Sequence, residues 1–326
     1  MSSVLGLGNA LVDVLAILEN DQLLDELNLP KGSMQLVDEA AALKVKEATS
    51  HIKKDLASGG SAANTIHGLA SLGVKTGFIG KIGKDELGQV FKADMTAHNI
   101  TPHLLESDTQ SGHANALISP DSERTFATYL GAAVELSQDD LAEELFKGYK
   151  YFHVEGYLVQ NKALIEKAYQ LAKANGLITS IDLASFNVVE DNLEFLTNLI
   201  HNYVDIVFAN EEEAKAYTGK EGEEALLQLA QGTQVAILKL GKEGSMIKRS
   251  NEIVKVGIIP AKSIDTTGAG DLYASGFLFG LIQELPLEKC GRIGSILSGH
   301  VIEVIGPKMN ESTWTNIQKL IKDELN

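Results

Sequence analysis

Residues 204–213 read Val204-Asp205-Ile206-Val207-Phe208-Ala209-Asn210-Glu211-Glu212-Glu213, a short apolar run ending in an amide and three carboxylates. The run is short, β-branched and aromatic, which predicts a buried strand over Asp205–Phe208. Asn210 followed three residues later by Glu213 forms a box-like N-cap, so a helix opens there. The same step repeats on either side. Tyr151 to Val154 precedes a helix at 161–174, Leu177 to Ile181 precedes helical segments up to about 200, and Val235 to Leu240 follows a helix near 221–230. Such alternation predicts βαβ units and a mostly parallel sheet with helices on both faces.

The N-terminal part opens with an apolar run, Val4 to Leu7, then Gly8-Asn9, then a second apolar stretch from Leu11 to Leu18. Helical patterns follow at about 20–27, 38–47 and from Gly60 to Leu72, then a strand at Thr76 to Ile82 and a helix from Asp85 to Ala97. His113 to Ser119 and Arg124 to Leu130 are extended runs joined by the turn residues Pro120-Asp121-Ser122-Glu123, which predicts a hairpin. Two helices, about 269–283 and 286–304, close the last third. No repeat, low-complexity tract or linker interrupts the 326 residues. One α/β domain over 1–326 is expected, with a small β-sheet lid built from about 11–38 and 112–130.

The composition is that of a soluble globule, 44% hydrophobic and 22% charged. A formal charge of −16 opposes a general affinity for nucleic acid, so no nucleic-acid partner is expected. The single Cys290 excludes an intrachain disulfide and sits among apolar residues as a packed small side chain. No run approaches about 18 apolar residues, and Met1 to Gly8 lacks a basic segment ahead of an apolar one. A cytoplasmic protein without a membrane partner is expected.

Asp265-Thr266-Thr267-Gly268-Ala269-Gly270-Asp271 runs directly into the apolar helix Leu272 to Ile282. Two glycines around a small residue let backbone N–H groups converge at the positive end of a helix dipole, an anion hole suited to a phosphoryl group. Asp271 in the first turn is placed to take a proton from an attacking hydroxyl. An ordinary helix cap accounts for the same letters. Far upstream, Ser58-Gly59-Gly60-Ser61-Ala62-Ala63-Asn64 offers bare backbone and an amide to a hydroxyl, or is a simple glycine turn. Gly8-Asn9 and Asp13 add polar groups that suit a polyol or ribose. His67, His113 and His153 are not spaced as metal ligands and are read as structural.

The two glycine segments, in this order and about 200 residues apart, resemble the paired signatures of the PfkB, or ribokinase-like, carbohydrate kinase family across essentially the whole chain. That resemblance implies a three-layer ribokinase-like α/β fold and an ATP-dependent phosphotransfer to an alcohol. It implies Asp271 as catalytic base, Gly268, Ala269 and Gly270 as anion hole, and Asn9, Asp13, Gly59, Gly60 and Asn64 as sugar-binding residues. Asn210 and Glu213 resemble the family's Asn-x-x-Glu pair, which organises Mg2+ through water near the ATP phosphates. Lys239, Gly241 and Gly244 resemble a nucleotide-side turn in which Lys239 replaces the usual Thr; Thr266 belongs with that ATP side. Asp265 and Thr267 match a loop that binds a monovalent cation such as K+ in some members.

The opening Gly8-Asn9-Ala10-Leu11-Val12-Asp13, the Asn-Glu-Glu-Glu-Ala segment and Arg124 in the lid look like the adenosine-kinase branch. That implies a nucleoside phosphorylated at its ribose 5′-hydroxyl, with Arg124 reaching the transferred phosphate. Phe126 and Phe186 are the candidates for stacking on a base. The alternative substrate is free ribose, fructose or a similar sugar. A dinucleotide-binding oxidoreductase, suggested by Gly6-Leu7-Gly8, fails because Leu11 stands where a third small residue is needed. An exposed lid edge fits either a monomer or a homodimer.

Overall fold

The strand at Val235–Lys239 shows what holds the molecule together: Val235 and Ile237 enter one buried apolar cluster, while Ala236 and Leu238 enter another on the opposite side. Successive side chains of a strand point to opposite faces, so a strand apolar throughout must be covered twice. The computed structural model describes residues 3–121 and 123–325. Ser122 of the expected turn, and Met1 and Ser2 of the N-terminal reading, lie outside the described residues.

In chain order the strands are β1 (Ser3–Leu7), β2 (Leu11–Ile17), β3 (Met34–Leu36), β4 (Lys54–Gly59), β5 (Lys75–Gly83), β6 (Ile100–Ser107), β7 (Gly112–Ile118), β8 (Arg124–Tyr129), β9 (Tyr151–Glu155), β10 (Ile178–Asp182), β11 (Ile206–Asn210), β12 (Val235–Lys239), β13 (Ser245–Arg249) and β14 (Glu252–Val256). The helices are α1 (Gln22–Glu26), α2 (Glu39–Ala48), α3 (Ser61–Ser71), α4 (Glu86–Ala97), α5 (Lys162–Ala174), α6 (Phe186–Asp191), α7 (Leu193–Tyr203), α8 (Glu211–Thr218), α9 (Gly222–Leu229), α10 (Ala269–Ile282), α11 (Leu287–Val301) and α12 (Glu311–Leu325).

Among the described residues nine strands form one sheet in the order β14-β13-β12-β11-β10-β9-β1-β5-β6. All pairs from β12 to β6 are parallel, and β13 and β14 add an antiparallel edge. The chain leaves β1 toward β5 and β6, then returns to β9 on the other flank and continues outward. Connections therefore diverge beside β1, which opens a crevice beyond the carboxyl ends of the strands. One cluster lies under α3, α10, α11 and α12, the other under α5, α7 and α9. The α/β architecture with a mostly parallel sheet and helices on both faces is as the sequence predicts. No described helix is long and apolar enough to cross a membrane.

The second sheet runs β3-β8-β7-β2-β4. The β7–β8 hairpin is antiparallel as expected, and β2 and β3 come from the 11–38 segment. A third segment joins them: β4 pairs antiparallel with β2, from Leu11 opposite Gly59 to Ala16 opposite Lys54. Lys54-Asp55-Leu56-Ala57-Ser58-Gly59 has no β-branched or aromatic residue, so its strand character comes from pairing and not from local preference. One face of this sheet packs Ala16, Leu117 and Ala127 against Leu18, Leu24 and Val45; the other faces the crevice. The sequence pattern also left β6, the β13–β14 hairpin and α12 unassigned. In α12 the signal was present, since Trp314, Ile317 and Ile321 share one buried helical face.

Helices α3 and α10 meet at Gly68, where a Cβ would lie 2.3 Å from Ser275 Oγ and 2.9 Å from Leu272 Cδ1. Ser275 Oγ donates to the Thr65 carbonyl at 2.6 Å across this contact. Overpacking such a junction costs about 1–3 kcal/mol, so Gly68→Val should lower the urea midpoint accordingly. An unchanged midpoint would mean that the two helices have room to part.

Candidate active site

Each central strand ends on a polar residue at the crevice: Glu155 closes β9, Asp182 closes β10, Asn210 closes β11 and Lys239 closes β12, while Asn9 follows β1. All five line one cavity of about 1230 Å3, together with Gly270 and Asp271. The buried strands thus converge on a single polar floor, as the divergence of connections beside β1 requires.

Asp271 sits in the first turn of α10 and is held from α3. Its carboxylate oxygens accept from Ser61 Oγ at 2.8 Å and Asn64 Nδ2 at 3.0 Å, and its carbonyl accepts from Thr65 Oγ1 at 3.1 Å. Burial pushes its carboxyl above the ordinary value, against the pull of these two side-chain bonds and of Lys239. Gly268, the residue before α10, has φ +77°, and no side chain caps the helix. A plain capping role for the motif therefore lacks its capping bond, and the helix start faces the cavity at Gly270.

Lys239 Nζ lies at that helix start, 3.2 Å from where a Cβ on Gly270 would stand. It donates to Asp182 Oδ2 at 2.7 Å. Burial disfavours the ammonium, but Asp182, Glu213 and Asp271 outweigh that and hold it above its usual value. Lys239 is not a solvated lysine. Glu213 is buried in a complete capping box: its carboxylate accepts from the Asn210 N–H at 2.8 Å and from Asn210 Nδ2 at 2.7 Å, while its own N–H donates to Asn210 Oδ1 at 2.8 Å. Burial raises its carboxyl to about 7.

On the other flank Glu155 accepts from the Asn9 N–H at 2.9 Å, from Asn9 Nδ2 at 2.6 Å and from the Ala62 N–H at 3.1 Å. Burial pushes it up to about 7. Gly8 and Gly6, read as a weak dinucleotide fingerprint, are instead close-approach positions: a Cβ on Gly8 would meet Glu155 Oε2 at 2.5 Å, and one on Gly6 would meet Ile66 Cγ1 at 2.4 Å. Asp13 shares the face of cavity-lining Leu11 on β2, and a Cβ on Gly59 would fall 2.5 Å from its carboxylate. Burial raises Asp13 to about 6, opposed by the nearby Lys308 and Arg124. Gly60 takes φ +94°, and a Cβ there would meet the Asn9 carbonyl oxygen at 2.4 Å.

Arg124, on β8, reaches across to the motif loop and pairs with Asp265 Oδ2 at 2.8 Å, with Thr267 Oγ1 at 3.4 Å. Asp265 also accepts from Thr267 N and Oγ1 and from the Gly306 N–H. Thr266 contributes its carbonyl to the Ala269 N–H.

Of the expected residues, Asn9, Gly60, Asn210, Glu213, Lys239, Gly270 and Asp271 line the cavity, whereas Asp13, Gly59, Asn64, Arg124, Phe126, Phe186, Gly241, Gly244, Asp265, Thr266, Thr267, Gly268 and Ala269 do not. The aliphatic wall of the crevice comes instead from Leu36 of β3 and from Leu130, Ala133, Val134 and Leu136 in the segment that follows β8, with Tyr157 the aromatic residue on the cavity. His113 and His153 are structural, bonded to the Ser111 carbonyl and Ser180 Oγ. Glu155, Asp182, Ser61 and Lys308 were not singled out as site residues in the sequence. Acidic residues closing buried strands were a usable signal for the first two.

A family model for the pfkB family carbohydrate kinase matches residues 35–314. The chain belongs to that family. The adenosine kinase of Sinorhizobium meliloti is 36% identical, with a TM-score of 0.87 over 98% of this chain and 99% of that one. A probable sugar kinase of Rhizobium etli is 33% identical, with a TM-score of 0.88 over 98% of both chains. Adenosine kinase 2 of Arabidopsis thaliana is 25% identical over 93% of this chain and 94% of its own length. This pfkB-family chain is therefore an adenosine kinase-like kinase with the ribokinase-like fold.

Glu213 gives the kinase a measurable pH signature. With its carboxyl raised from 4.5 to about 7, the folded protein holds a proton that the unfolded chain releases across that window. The stability it contributes is therefore present below the lower value and declines as pH rises through the upper one. Glu213→Gln, uncharged throughout, should lose less stability than the wild type between about pH 5 and about pH 8 in urea titrations. Parallel curves would show that Glu213 does not titrate in this window.

Proposed function

We propose that this kinase transfers the γ-phosphoryl group of ATP to the ribose 5′-hydroxyl of adenosine or a closely related nucleoside. The observation that carries the nucleoside reading is the aliphatic wall of Leu36, Leu130, Ala133, Val134 and Leu136, continuous with the polar floor of Asn9, Glu155 and Asp271. A free sugar offers only its small C–H faces to such a wall, whereas a base joined to a ribose matches both halves. The likeness to an adenosine kinase at 36% identity agrees.

In this reading Asn9, Asp13, Gly59, Gly60 and Asn64 hold the ribose, with the glycines admitting it against bare backbone. Asp271 takes the proton of the 5′-hydroxyl as that oxygen attacks the γ-phosphorus, and the bond to the β-phosphate oxygen breaks to release ADP. The raised carboxyl suits a base better than an ordinary aspartate would, since proton affinity grows with pKa. The Gly268–Gly270 backbone and the start of α10 stabilise charge on the transferring group, and Lys239 adds an ammonium at the same point. Asn210, with Gly241, Gly244 and Thr266 in the surrounding turns, belongs to the ATP side.

Asp182, Glu213 and Asp271 surround one lysine, so the cavity carries an excess of carboxylate that fits a divalent cation arriving with the triphosphate. Mg2+, held through water by Glu213, would offset charge on the phosphates. Asp265 is different: both oxygens accept from donors, and Arg124 already supplies the positive charge, so the carboxylate does not fit a K+ ligand and no step here uses one. Arg124 instead ties the second sheet to the motif loop, a lid contact that shields the transfer from water.

Asp271→Asn should lower kcat by about 10^2–10^4-fold, with substrate affinity little changed, in an ADP-coupled assay paired with calorimetry. Turnover at the wild-type rate would remove Asp271 as base. In the same assay adenosine should exceed free ribose and fructose in kcat/KM by about 10–100-fold, the value of burying one apolar group the size of a base. Efficient turnover of free sugars alone would replace the nucleoside reading with a sugar kinase.

A further inference from the structure

Apart from the residues that line the cavity lies a cluster that the phosphotransfer reaction does not use. His67 projects from α3, Asp94 lies in α4 and His98 follows it directly. One ligand atom from each residue can be chosen such that all three lie within 4.8 Å of one another. Asp94 and His98 stand four residues apart and so share one helix face, with His98 Nδ1 3.2 Å from Asp94 Oδ1. The His67 ring lies across from His98 at 4.1 Å between centroids. His67 is only 4% exposed, and its Nε2 is buried without a hydrogen-bond partner. A buried imidazole nitrogen with nothing to bond is costly unless something fills the gap.

We propose that His67, Asp94 and His98 bind a single divalent metal ion of the zinc class, at a site separate from the carboxylate-lined cavity. Two imidazole nitrogens and one carboxylate oxygen are the donors that borderline metals prefer over Mg2+ or Ca2+. Ligand atoms around tetrahedral zinc stand about 3.3 Å apart, so small ring rotations bring the three into range. His98 is 41% exposed on its side chain and gives the ion a way in. The Asp94 carboxylate is braced from behind, where Oδ2 accepts from Ser58 Oγ, leaving Oδ1 toward His98. Such outer partners orient a ligating carboxylate. Lys308 is the competing cation: its Nζ lies 4.0 Å from Asp94 Oδ2 and has no hydrogen-bond partner. A bound metal displaces that ammonium from its nearest carboxylate, so Lys308 weakens the site.

Co2+ serves as the probe, titrated into the full chain without nucleotide and with excess Mg2+ to cover the cavity carboxylates. The expected result is one Co2+ per chain with visible ligand-field bands. His98→Ala, a change at a partly exposed position, should weaken binding at least about tenfold, the effect that even an outer partner of a metal site can have. His67→Gln should do the same, and Lys308→Met should tighten binding. Thermal melts of each variant separate lost ligation from lost folding. Failure of the wild type to bind one Co2+, or binding unaffected by His98→Ala, would overturn the site.

Discussion

Asp271 is anchored three times to α3, through Ser61 and Asn64 on its carboxylate and Thr65 on its carbonyl, and the first of these bonds spans 210 residues of sequence. Hydrogen bonds to a charged group contribute about 1.5–3 kcal/mol each, enough to fix the rotamer of a side chain at a helix start. The rest of the site depends on this junction. Gly68 lets the helices close, Ser275 locks the next turn, and the start of α10 is thereby aimed at the cavity where Lys239 waits. A shift of α3 would carry the glycine pair, the amide and the base out of register together.

The electrostatics follow from where the strands stop. Buried parallel strands can be apolar along their length, but their carboxyl ends emerge where connections diverge, and polar residues collect there. Asp182, Glu213 and Asp271 keep Lys239 charged despite its burial, and Lys239 in turn limits how far Glu213 rises. On the other flank Glu155 makes three hydrogen bonds that join β1, β9 and the first turn of α3. It holds the entry to the glycine pair much as Asp271 holds its exit.

The second sheet is bound to this centre by two unlike contacts. Arg124 reaches from β8 to Asp265 in the loop before α10, a pair in which both side chains are less than a tenth exposed. Gly59 ends β4 against Asp13 and leads within two residues into α3. Any movement of the sheet therefore pulls on both glycine segments. Removing one partner of such a buried pair leaves an uncompensated charge, which is why Arg124 and Asp265 are coupled more tightly than an exposed pair would be.

The sequence by itself determined the elements whose signals are local. Alternating apolar runs marked the parallel strands, the Asn210–Glu213 box marked the start of α8, and two glycine segments marked where backbone comes close to a ligand. Only the tertiary structure decided which distant groups meet. β4 is a strand because β2 pairs with it. The crevice wall is aliphatic because β3 and the segment after β8, nearly a hundred residues apart, bring Leu36, Leu130, Ala133, Val134 and Leu136 to one side of the cavity. Lys239 keeps its charge in a buried place because Asp182 at the end of β10, Glu213 in α8 and Asp271 in α10 are brought around it. His67, unremarkable in the sequence, gains His98 and Asp94 as neighbours only when the fold brings the last turn of α4 and the residue after it beside the His67 ring. Periodicity, caps and turns act over a few residues and can be read in order, whereas the environment of a side chain is set by whatever the fold brings against it.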